Sequence, residues 1–333
     1  MQISYAQNLE DYHLDLVFGD LESGTYVDVG GGHPVADNVS FWFYLKGWRG
    51  LIVEPQEALA ALYAHVRPRD HTVSCLAGRS AGEVDFHVVD KLHGFSTTVR
   101  ANAAGAARFG AGFQTVKKPM RPLAALCDEA RLAAIDFLKV DVEGAEAEVL
   151  AGMDFTRLRP RVVLVEAIVP GSMAAAWDTW EPILTRAGYR FAFFDNLNRF
   201  YVAEEAADLA QRFPAQPAPW DRVGHLWDCG RAPEKPEHPD HALAKVLVAG
   251  LMARLPAMPP GEVAALVRAG LSADRKGELD ASALAALVRG NAEFPRPHSD
   301  VSGSDLAAML QADEARAALG RIACMYDGGH LLE

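Results

Sequence analysis

The sequence predicts an α/β protein built on a mainly parallel, doubly wound sheet. Short apolar runs alternate with stretches of helical spacing up to about residue 205, which is typical of strand–helix–strand units. A glycine-rich turn follows the apolar run 25–29, at the position where open α/β sheets bind ligands. The last two apolar runs are joined by only the four residues 195–198, which predicts an antiparallel hairpin at the end of the sheet.

The individual elements follow from the spacing of apolar residues. Apolar runs rich in β-branched and aromatic residues predict strands at 25–29, 50–54, 72–76, 83–88, 114–120, 135–140, 161–167, 189–194 and 199–203. Runs with helical spacing predict helices at 37–46, 56–66, 121–132, 145–152 and 174–187.

Changes in composition predict three regions. Residues 1–212 contain all the strand signals and form the predicted main domain. Prolines crowd residues 213–240, which predicts a linker. Residues 241–333 are rich in alanine and leucine at helical spacing, so we expect a small helical appendage through which copies of the chain could form a homo-oligomer.

Composition narrows the class of partner. The formal charge of −12 over 333 residues argues against a nucleic-acid partner, which normally requires a basic surface. The four cysteines are far apart and form no CxxC motif, which favours reduced thiols and a cytoplasmic location. The N-terminus is polar, and we expect no membrane span because no run of about 20 apolar residues is present.

The turn from Gly30 to Gly32 is the most informative feature of the chain. Glycine lets backbone approach a ligand closely because no Cβ intervenes. Glu54, which ends the next predicted strand, is placed to accept both ribose hydroxyls of a nucleoside. These features predict a site for an adenosine-containing cofactor. The alternative is a plain strand–turn–helix whose glycines serve only the turn.

The spacing of the glycines favours S-adenosylmethionine over a dinucleotide. A dinucleotide fingerprint needs a third glycine, and Val35 occupies that position. Asp37, near the predicted helix start, would repel a pyrophosphate. Asp28, in contrast, could face the amino group of adenosylmethionine directly or through water. The terminal hairpin favours the same choice, because class I methyltransferases have one and dinucleotide dehydrogenases do not.

A second acidic motif follows the predicted strand 135–140. Asp141 and Glu143 come directly after this strand, and the next helix starts near Ala145. Since ligands bind outside the carboxyl ends of such strands, we expect both acids beside the glycine turn. There they could orient a substrate hydroxyl, act as a base or hold a divalent ion. The alternative is that they only cap the helix.

Four blocks of the sequence resemble the FkbM-type methyltransferase family. They are residues 4–11, 26–34, 47–55 and 137–146, and the resemblance covers roughly residues 3–203. It implies a class I methyltransferase fold, with a Rossmann-like sheet and terminal hairpin. It also implies adenosylmethionine-dependent O-methylation of a hydroxyl on a sugar, glycan or polyketide-like small molecule. After the third strand, residues 75–79 offer no acid for adenine, so we expect backbone groups to bind it.

The resemblance also implies residue roles. The methionine end of the cofactor would contact Asp28, Gly30, Gly31 and Gly32, and its ribose would contact Glu54 and Pro55. The opening segment that closes over the site would contain Gln7, Asn8, Glu10 and Asp11. In other members the second residue of the turn is usually alanine and the third is often asparagine, whereas here both are glycine.

Methyl transfer requires an acceptor oxygen in line with the sulfonium and benefits from a base near its proton. Asp141 is the first candidate for this base, and Glu166, near the end of the strand 161–167, is the second. His33 and His93 come third, since a lone histidine more often caps or packs.

Two further questions stay open on the sequence alone. Mg²⁺ could bind if the strand ends bring together the acids Asp141, Glu143, Glu166 and Asp195. The chain could instead be an N-methyltransferase acting on a small-molecule amine, or a non-catalytic scaffold that binds an adenosine cofactor.

Overall fold

The computed structural model describes residues 3–90, 92–169 and 174–254, and five isolated positions further along the chain, Ala257, Glu262, Leu266, Asp313 and Ala317. The chain forms two compact units, Met1–His225 and Leu226–Glu333. The predicted division into residues 1–212, 213–240 and 241–333 stays a prediction.

The elements of the first unit are short. The strands are β1 (Ile3–Ser4), β2 (Thr25–Val29), β3 (Arg49–Val53), β4 (His71–Val73), β5 (Leu76–Gly78), β6 (Gly82–Val89), β7 (Phe113–Pro122), β8 (Phe137–Val140), β9 (Val162–Glu166), β10 (Tyr189–Phe194), β11 (Asn198–Ala203) and β12 (Gly224–His225). The α-helices are α1 (Glu10–Phe18), α2 (Phe41–Leu45), α3 (Glu57–Val66), α4 (Arg100–Gly105), α5 (Leu123–Glu129), α6 (Glu146–Ala151) and α7 (Glu181–Arg186). Short 3₁₀ helices lie at His93–Phe95, Ala106–Phe109, Trp177–Thr179 and Glu204–Arg212.

The core of this unit is a seven-stranded sheet with the order β10-β11-β9-β8-β2-β3-β4. The strands β4, β3, β2, β8 and β9 run parallel, and β11 is antiparallel to both β9 and β10. The predicted antiparallel hairpin is therefore present, at the predicted end of the sheet. β8 and β9 are buried along their whole length, as parallel strands covered on both faces are.

A second sheet, which the sequence pattern did not indicate, lies between β4 and α5 in the chain. The predicted strand 72–76 is split into β4, in the main sheet, and β5, which joins β6 and β7 in a three-stranded sheet. Many residues of β6 and β7 are exposed or half-exposed, whereas parallel core strands are continuously buried. This partial burial explains why the two strands lie outside the main sheet.

Two helices, α1 and α4, were missed, and others are shorter than predicted. α1 buries Glu10, Asp11 and His13 together with its apolar residues, so it has no clear hydrophobic face. The predicted helix 37–46 contains only α2, because the residues before it form a turn held by side chains. The predicted helix 174–187 contains a 3₁₀ turn followed by α7.

The second unit is described in part. It contains α8 (Leu226–Cys229) and α9 (His241–Arg254). Most of the predicted appendage 241–333, and with it the proposed oligomer contact, lies outside the described residues. Among the helices that the structure describes, none has the length and apolar character needed to cross a bilayer.

Candidate active site

The glycine turn after β2 is shaped by its contact with the end of β8. Gly30 has a φ of +76°, and a Cβ at this position would lie 1.8 Å from the carbonyl oxygen of Asp141. Only glycine fits there. Gly32 has a φ of +57°, but a Cβ on it would meet no described atom within 4 Å. The turn is thus closed on the Gly30 side and open at Gly32, where a ligand can approach the backbone.

The middle of the turn is held by buried polar side chains. The carbonyl oxygen of Gly31 accepts hydrogen bonds from Asn38 Nδ2, at 2.9 Å, and from the Tyr63 hydroxyl, at 2.8 Å. The amides of Gly30 and Gly31 both point to the carbonyl oxygen of Val53, at 3.0 and 3.3 Å. The turn is therefore rigid before any ligand binds.

Glu54 lies at the carboxyl end of β3 and is almost fully buried. Its Oε2 accepts a hydrogen bond from the Gly32 amide at 2.8 Å, and its Oε1 accepts one from the Gln56 amide at 2.8 Å. Burial raises the pKa of this carboxyl to about 7, although the two amides and Lys139 oppose the shift. The glycine turn therefore holds Glu54 in position through the Gly32 amide. The same turn and Glu54 are together predicted to bind the cofactor. Pro55 follows it and is half-buried.

A buried lysine lies beneath the turn. Lys139 Nζ donates a hydrogen bond to the Gly30 carbonyl at 2.6 Å and lies 3.5 Å from Asp28 Oδ1 and 3.4 Å from Asp141 Oδ2. Burial alone would lower the pKa of Lys139, but Asp141 and Asp28 outweigh it and hold the pKa above its usual value. Lys139 therefore links the glycine turn to the acids at the end of β8.

Sequence reasoning missed Lys139. A lysine between Leu138 and Val140 in an otherwise apolar strand was the available signal, since lysine is almost never buried without a partner.

A second buried cation, Arg67, supports Asp28 from behind and was also missed. Asp28 Oδ2 accepts a hydrogen bond from Ser40 Oγ at 2.6 Å. Arg67 donates to Ser40 Oγ at 2.9 Å and to Asn38 Oδ1 at 2.9 Å. Asp28 is thus held between an arginine-based network and Lys139, and is too buried to be reached freely from solvent.

Three of the four predicted metal-binding acids converge. One carboxylate oxygen from each of Asp141, Glu143 and Glu166 lies within 4.8 Å of the others. We call these three residues the acidic rim. Asp195 is outside this group: its Oδ1 accepts hydrogen bonds from the amides of Leu197, at 2.9 Å, and Asn198, at 2.5 Å, and so it shapes the hairpin turn.

The backbone of Glu143 is held by side chains from a neighbouring segment. Its carbonyl oxygen accepts hydrogen bonds from Asn102 Nδ2, at 2.7 Å, and Thr97 Oγ1, at 2.9 Å. Glu143 has a φ of +59°, an uncommon conformation that these bonds support. Burial and the nearby Asp141 raise the pKa of the Glu143 carboxyl to about 9.

Glu166, the last residue of β9, is the most buried member of the rim. Its Oε2 is inaccessible to solvent and has no hydrogen-bond partner among the described residues. Burial, Asp141 and Glu143 together raise its pKa well above the usual range. Asp141 is more accessible, with 32% of its side chain exposed.

The opening segment is attached to the hairpin turn. Asn8 Nδ2 donates to the Asp195 carbonyl at 2.9 Å, and Asn198 Nδ2 donates to Glu10 Oε1 at 2.8 Å. Gln7 is exposed. Asp11 instead stabilises its own segment, accepting hydrogen bonds from Ser4 Oγ and the Tyr5 amide at 2.5 and 2.7 Å.

His33 caps the glycine turn. Its Nδ1 accepts hydrogen bonds from the amides of Val35, at 3.1 Å, and Ala36, at 3.0 Å, and its ring is buried. This geometry favours a capping role for His33 over the role of a base. The side chain of His93, the other predicted histidine, lies outside the described part of the structure.

Residues 28–191 match the family model described as the Methyltransferase FkbM domain. This part of the chain, which contains the glycine turn, Glu54, Lys139 and the acidic rim, is a methyltransferase domain. More particularly, it belongs to the FkbM family, which the four sequence blocks indicated. Methyltransferases of this kind in general take a cofactor of the adenosylmethionine type. Among curated proteins, no match to the chain was found.

Proposed function

We propose that the chain is an S-adenosylmethionine-dependent O-methyltransferase acting on a hydroxyl of a sugar, glycan or polyketide-like small molecule. The proposal depends on one observation above all. The glycine turn and the acidic rim touch, because Gly30 packs directly against the carbonyl of Asp141. A donor bound over the turn would therefore lie next to the acids, as transfer between two substrates requires.

The cofactor is proposed to bind over the open side of the turn. The lack of described atoms around Gly32 leaves room for the methionine end, and Glu54 with Pro55 would bind the ribose. Since Asp28 is buried against Lys139, we expect its effect on the cofactor to pass through that lysine and the Gly30 carbonyl. Gln7 and Asn8 would approach the cofactor from the opening segment.

Asp141 is the proposed base. In the reaction, a lone pair of the acceptor oxygen forms a bond to the methyl carbon while the carbon–sulfur bond breaks, and the hydroxyl proton passes to a carboxylate. The products are a methyl ether and S-adenosylhomocysteine. Asp141 has 32% of its side chain exposed, whereas Glu166 is nearly buried, so Asp141 is the better proton acceptor of the two.

An N-methyltransferase acting on a small-molecule amine is the second candidate. The acidic rim favours it in one respect, because clustered carboxylates would attract a protonated amine. Methylation by the protein of matched acceptors that carry a hydroxyl or an amine at the same carbon would separate the two functions.

Cofactor binding tests the proposal most directly. Calorimetric titration should show that adenosylmethionine and S-adenosylhomocysteine bind and that NADH does not. Glu54→Ala removes the proposed ribose contact and should weaken binding roughly 10- to 100-fold, the value of one or two hydrogen bonds to a charged group. Glu57→Ala, at an exposed acid three residues away, is the matched control and should bind normally. Binding of NADH alone would end the methyltransferase proposal.

Turnover tests the assignment of the base. Asp141→Asn should leave the affinity for adenosylmethionine nearly unchanged and lower kcat by roughly 10²- to 10⁴-fold, the usual contribution of general base catalysis. Labelled adenosylmethionine supplied with candidate acceptors gives the readout. If the variant turned over at the wild-type rate, Asp141 would not be the base.

A further inference from the structure

We propose that Asp141, Glu143 and Glu166 bind one divalent cation with a preference for oxygen ligands, such as Mg²⁺ or Mn²⁺. The site lies at the carboxyl ends of β8 and β9, beside the glycine turn. This proposal rests on the proposed function in one respect: the acceptor hydroxyl named there is the group that would share the cation. Binding of the cation itself depends on the three carboxylates alone.

The three oxygens lie nearly close enough together to bind a single cation. Two ligands of one Mg²⁺ ion lie at most ~4.2 Å apart and two ligands of Ca²⁺ at most ~5 Å apart, since the metal–oxygen distances are about 2.1 and 2.3–2.6 Å. The oxygens of the acidic rim all lie within 4.8 Å of one another. A small side-chain adjustment therefore places all three in contact with one ion.

The burial of Glu166 points to a missing ligand. A buried carboxylate oxygen normally accepts hydrogen bonds, because leaving one unpaired is destabilising, most of all when the group is charged. Oε2 of Glu166 has no such bond from any described residue, whereas both oxygens of Glu54, which is also buried, are bonded. A cation between Glu166 and the other two acids would supply the interaction that is absent.

The charges of the rim also favour a cation. Three carboxylates lie together, and the cation nearest to Asp141 is Lys139, which is shared with Asp28 and the Gly30 carbonyl. Glu146 adds a fourth acid close behind, although its Oε1 is held by the Gly144 amide at 2.9 Å. Mutual repulsion of this kind is relieved either by protonation or by a bound metal ion.

The backbone that carries Glu143 is formed in advance of binding. Thr97 and Asn102 hold the Glu143 carbonyl, and a Cβ at Gly144 would lie 2.4 Å from Asn102 Nδ2. The loop cannot relax into an ordinary helix start. Its strained backbone keeps the carboxylate of Glu143 beside the ends of β8 and β9.

Three protein oxygens leave coordination positions for water and for an acceptor hydroxyl, in agreement with the tendency of Mg²⁺ to retain several waters. A hydroxyl on such an ion loses its proton more readily. Each residue contributes one ligand oxygen, so Asp141 retains a second oxygen that can take this proton. The acceptor oxygen then attacks the methyl group as described above, and the cation is unchanged.

Titration of the full-length protein with Mn²⁺, followed by the loss of the free-ion signal in electron paramagnetic resonance, tests the site without any cofactor. We expect saturable binding of one Mn²⁺ per chain that Mg²⁺ displaces. Glu143→Gln should weaken it at least ~10-fold, since even outer partners of metal ligands are worth that much. The variant should fold, because the Glu143 position is held through its backbone. Glu166→Gln provides a second, independent removal of a ligand.

Glu148→Gln is the matched control, since Glu148 lies on α6 with an exposed side chain paired to Arg79 at 3.2 Å, and its affinity for Mn²⁺ should equal that of the wild type. No saturable binding, or equal binding by the wild type, Glu143→Gln and Glu166→Gln, would overturn the proposal. Separate calorimetry with adenosylmethionine keeps the two proposals apart. Cofactor binding without Mn²⁺ binding removes only the metal site, and Mn²⁺ binding without cofactor binding removes only the proposed function.

Discussion

Two glutamates end parallel strands of the same sheet, and their surroundings are opposite. Glu54 follows β3, and its two carboxylate oxygens accept backbone hydrogen bonds from Gly32 in the glycine turn and from Gln56. Glu166 ends β9, and one of its oxygens is buried with no hydrogen-bond partner among the described residues. Both carboxyls have raised pKa values, but only at Glu166 are two neighbouring acids among the leading causes.

The two glutamates represent two halves of the site. In one half the acids have partners within the protein, and in the other they mainly face one another. On the side of the glycine turn, Glu54 accepts hydrogen bonds from amides, and Asp28 accepts one from Ser40 and forms an ion pair with Lys139. On the side of the acidic rim, carboxylates face one another. Selection for stability alone favours acids that have partners, as beside the glycine turn, because an unpaired buried charge is destabilising. The second arrangement, the acidic rim, is the one at which we propose a bound cation.

The largest loss of stability should come from replacing Lys139, whose ammonium group pairs with acids of both halves of the site. Lys139→Met leaves Asp28 and Asp141 without their ion-pair partner and should lower the free energy of unfolding by about 3–5 kcal/mol. Glu166→Gln replaces a carboxyl whose pKa burial and its neighbours already raise toward the protonated form, and should change the free energy of unfolding by less than ~1 kcal/mol. Urea unfolding measures both. Equal destabilisation by the two substitutions would show that the rim is as well compensated as the turn.

Two glycines sharpen the comparison within the turn. Gly30→Ala should destabilise the protein by about 2–4 kcal/mol, because its Cβ would collide with the Asp141 carbonyl in a left-handed conformation. Gly32→Ala should cost only ~1 kcal/mol but should weaken binding of adenosylmethionine, since its Cβ enters the space proposed for the cofactor. Thermal melts and calorimetry separate these outcomes.

Gly47→Ala is the control for backbone strain, because Gly47 also has a positive φ, of +94°, with no atom near its Cβ. It should match Gly32→Ala in stability and bind the cofactor like the wild type. If Gly32→Ala bound adenosylmethionine like the wild type, the proposed position of the cofactor over the turn would be wrong.

The smallest effect concerns a third buried glutamate, Glu10, in the opening segment. Burial and then Asp195 raise its pKa from about 4.5 to about 8, and burial raises the pKa of the neighbouring Asp11 to about 7. The folded protein therefore holds protons that the unfolded chain releases. This contribution to stability is complete below pH ~4 and is lost as the pH rises toward 8.

We expect stability to fall by roughly 2–3 kcal/mol between pH 6 and pH 8 through these groups. Denaturant unfolding at both pH values gives the readout. Glu10→Gln should reduce the loss, and the exposed Glu22→Gln should not alter it. A stability that rises over this interval in the wild type and not in Glu10→Gln would contradict the assignment to Glu10.

Much of the main sheet was predictable from local pattern. β2, β3, β8 and β9 are short apolar runs that end in glycine or acid, and the short connection before β11, three residues in the structure, allowed only a hairpin. The second sheet was not predictable in this way. The pairing of β6 with β7 joins strands separated by two 3₁₀ helices and α4, and their half-exposed residues do not show with which strand they pair.

The site divides along a similar line. Glu54, Asp141 and Glu143 stood out because they follow strands, and strand ends meet at one edge. The roles of Asn102 and Thr97 could not be read from sequence, since they reach Glu143 from about 40 residues away through tertiary contacts. Asp195 looked like a ligand by residue type, and only the geometry of the hairpin turn assigns its carboxylate to backbone amides.

The order of the last three strands has a consequence for how the protein is made and how it can be cut. β11 follows β10 in the chain but lies between β10 and β9 in the sheet. During synthesis on a ribosome, β10 emerges before the only strand that joins it to the sheet, and β9 keeps an open edge until β11 arrives. A recombinant fragment that stopped at residue 191, where the family match ends, would retain that edge and be prone to aggregate. A fragment meant to fold must continue at least through Ala203.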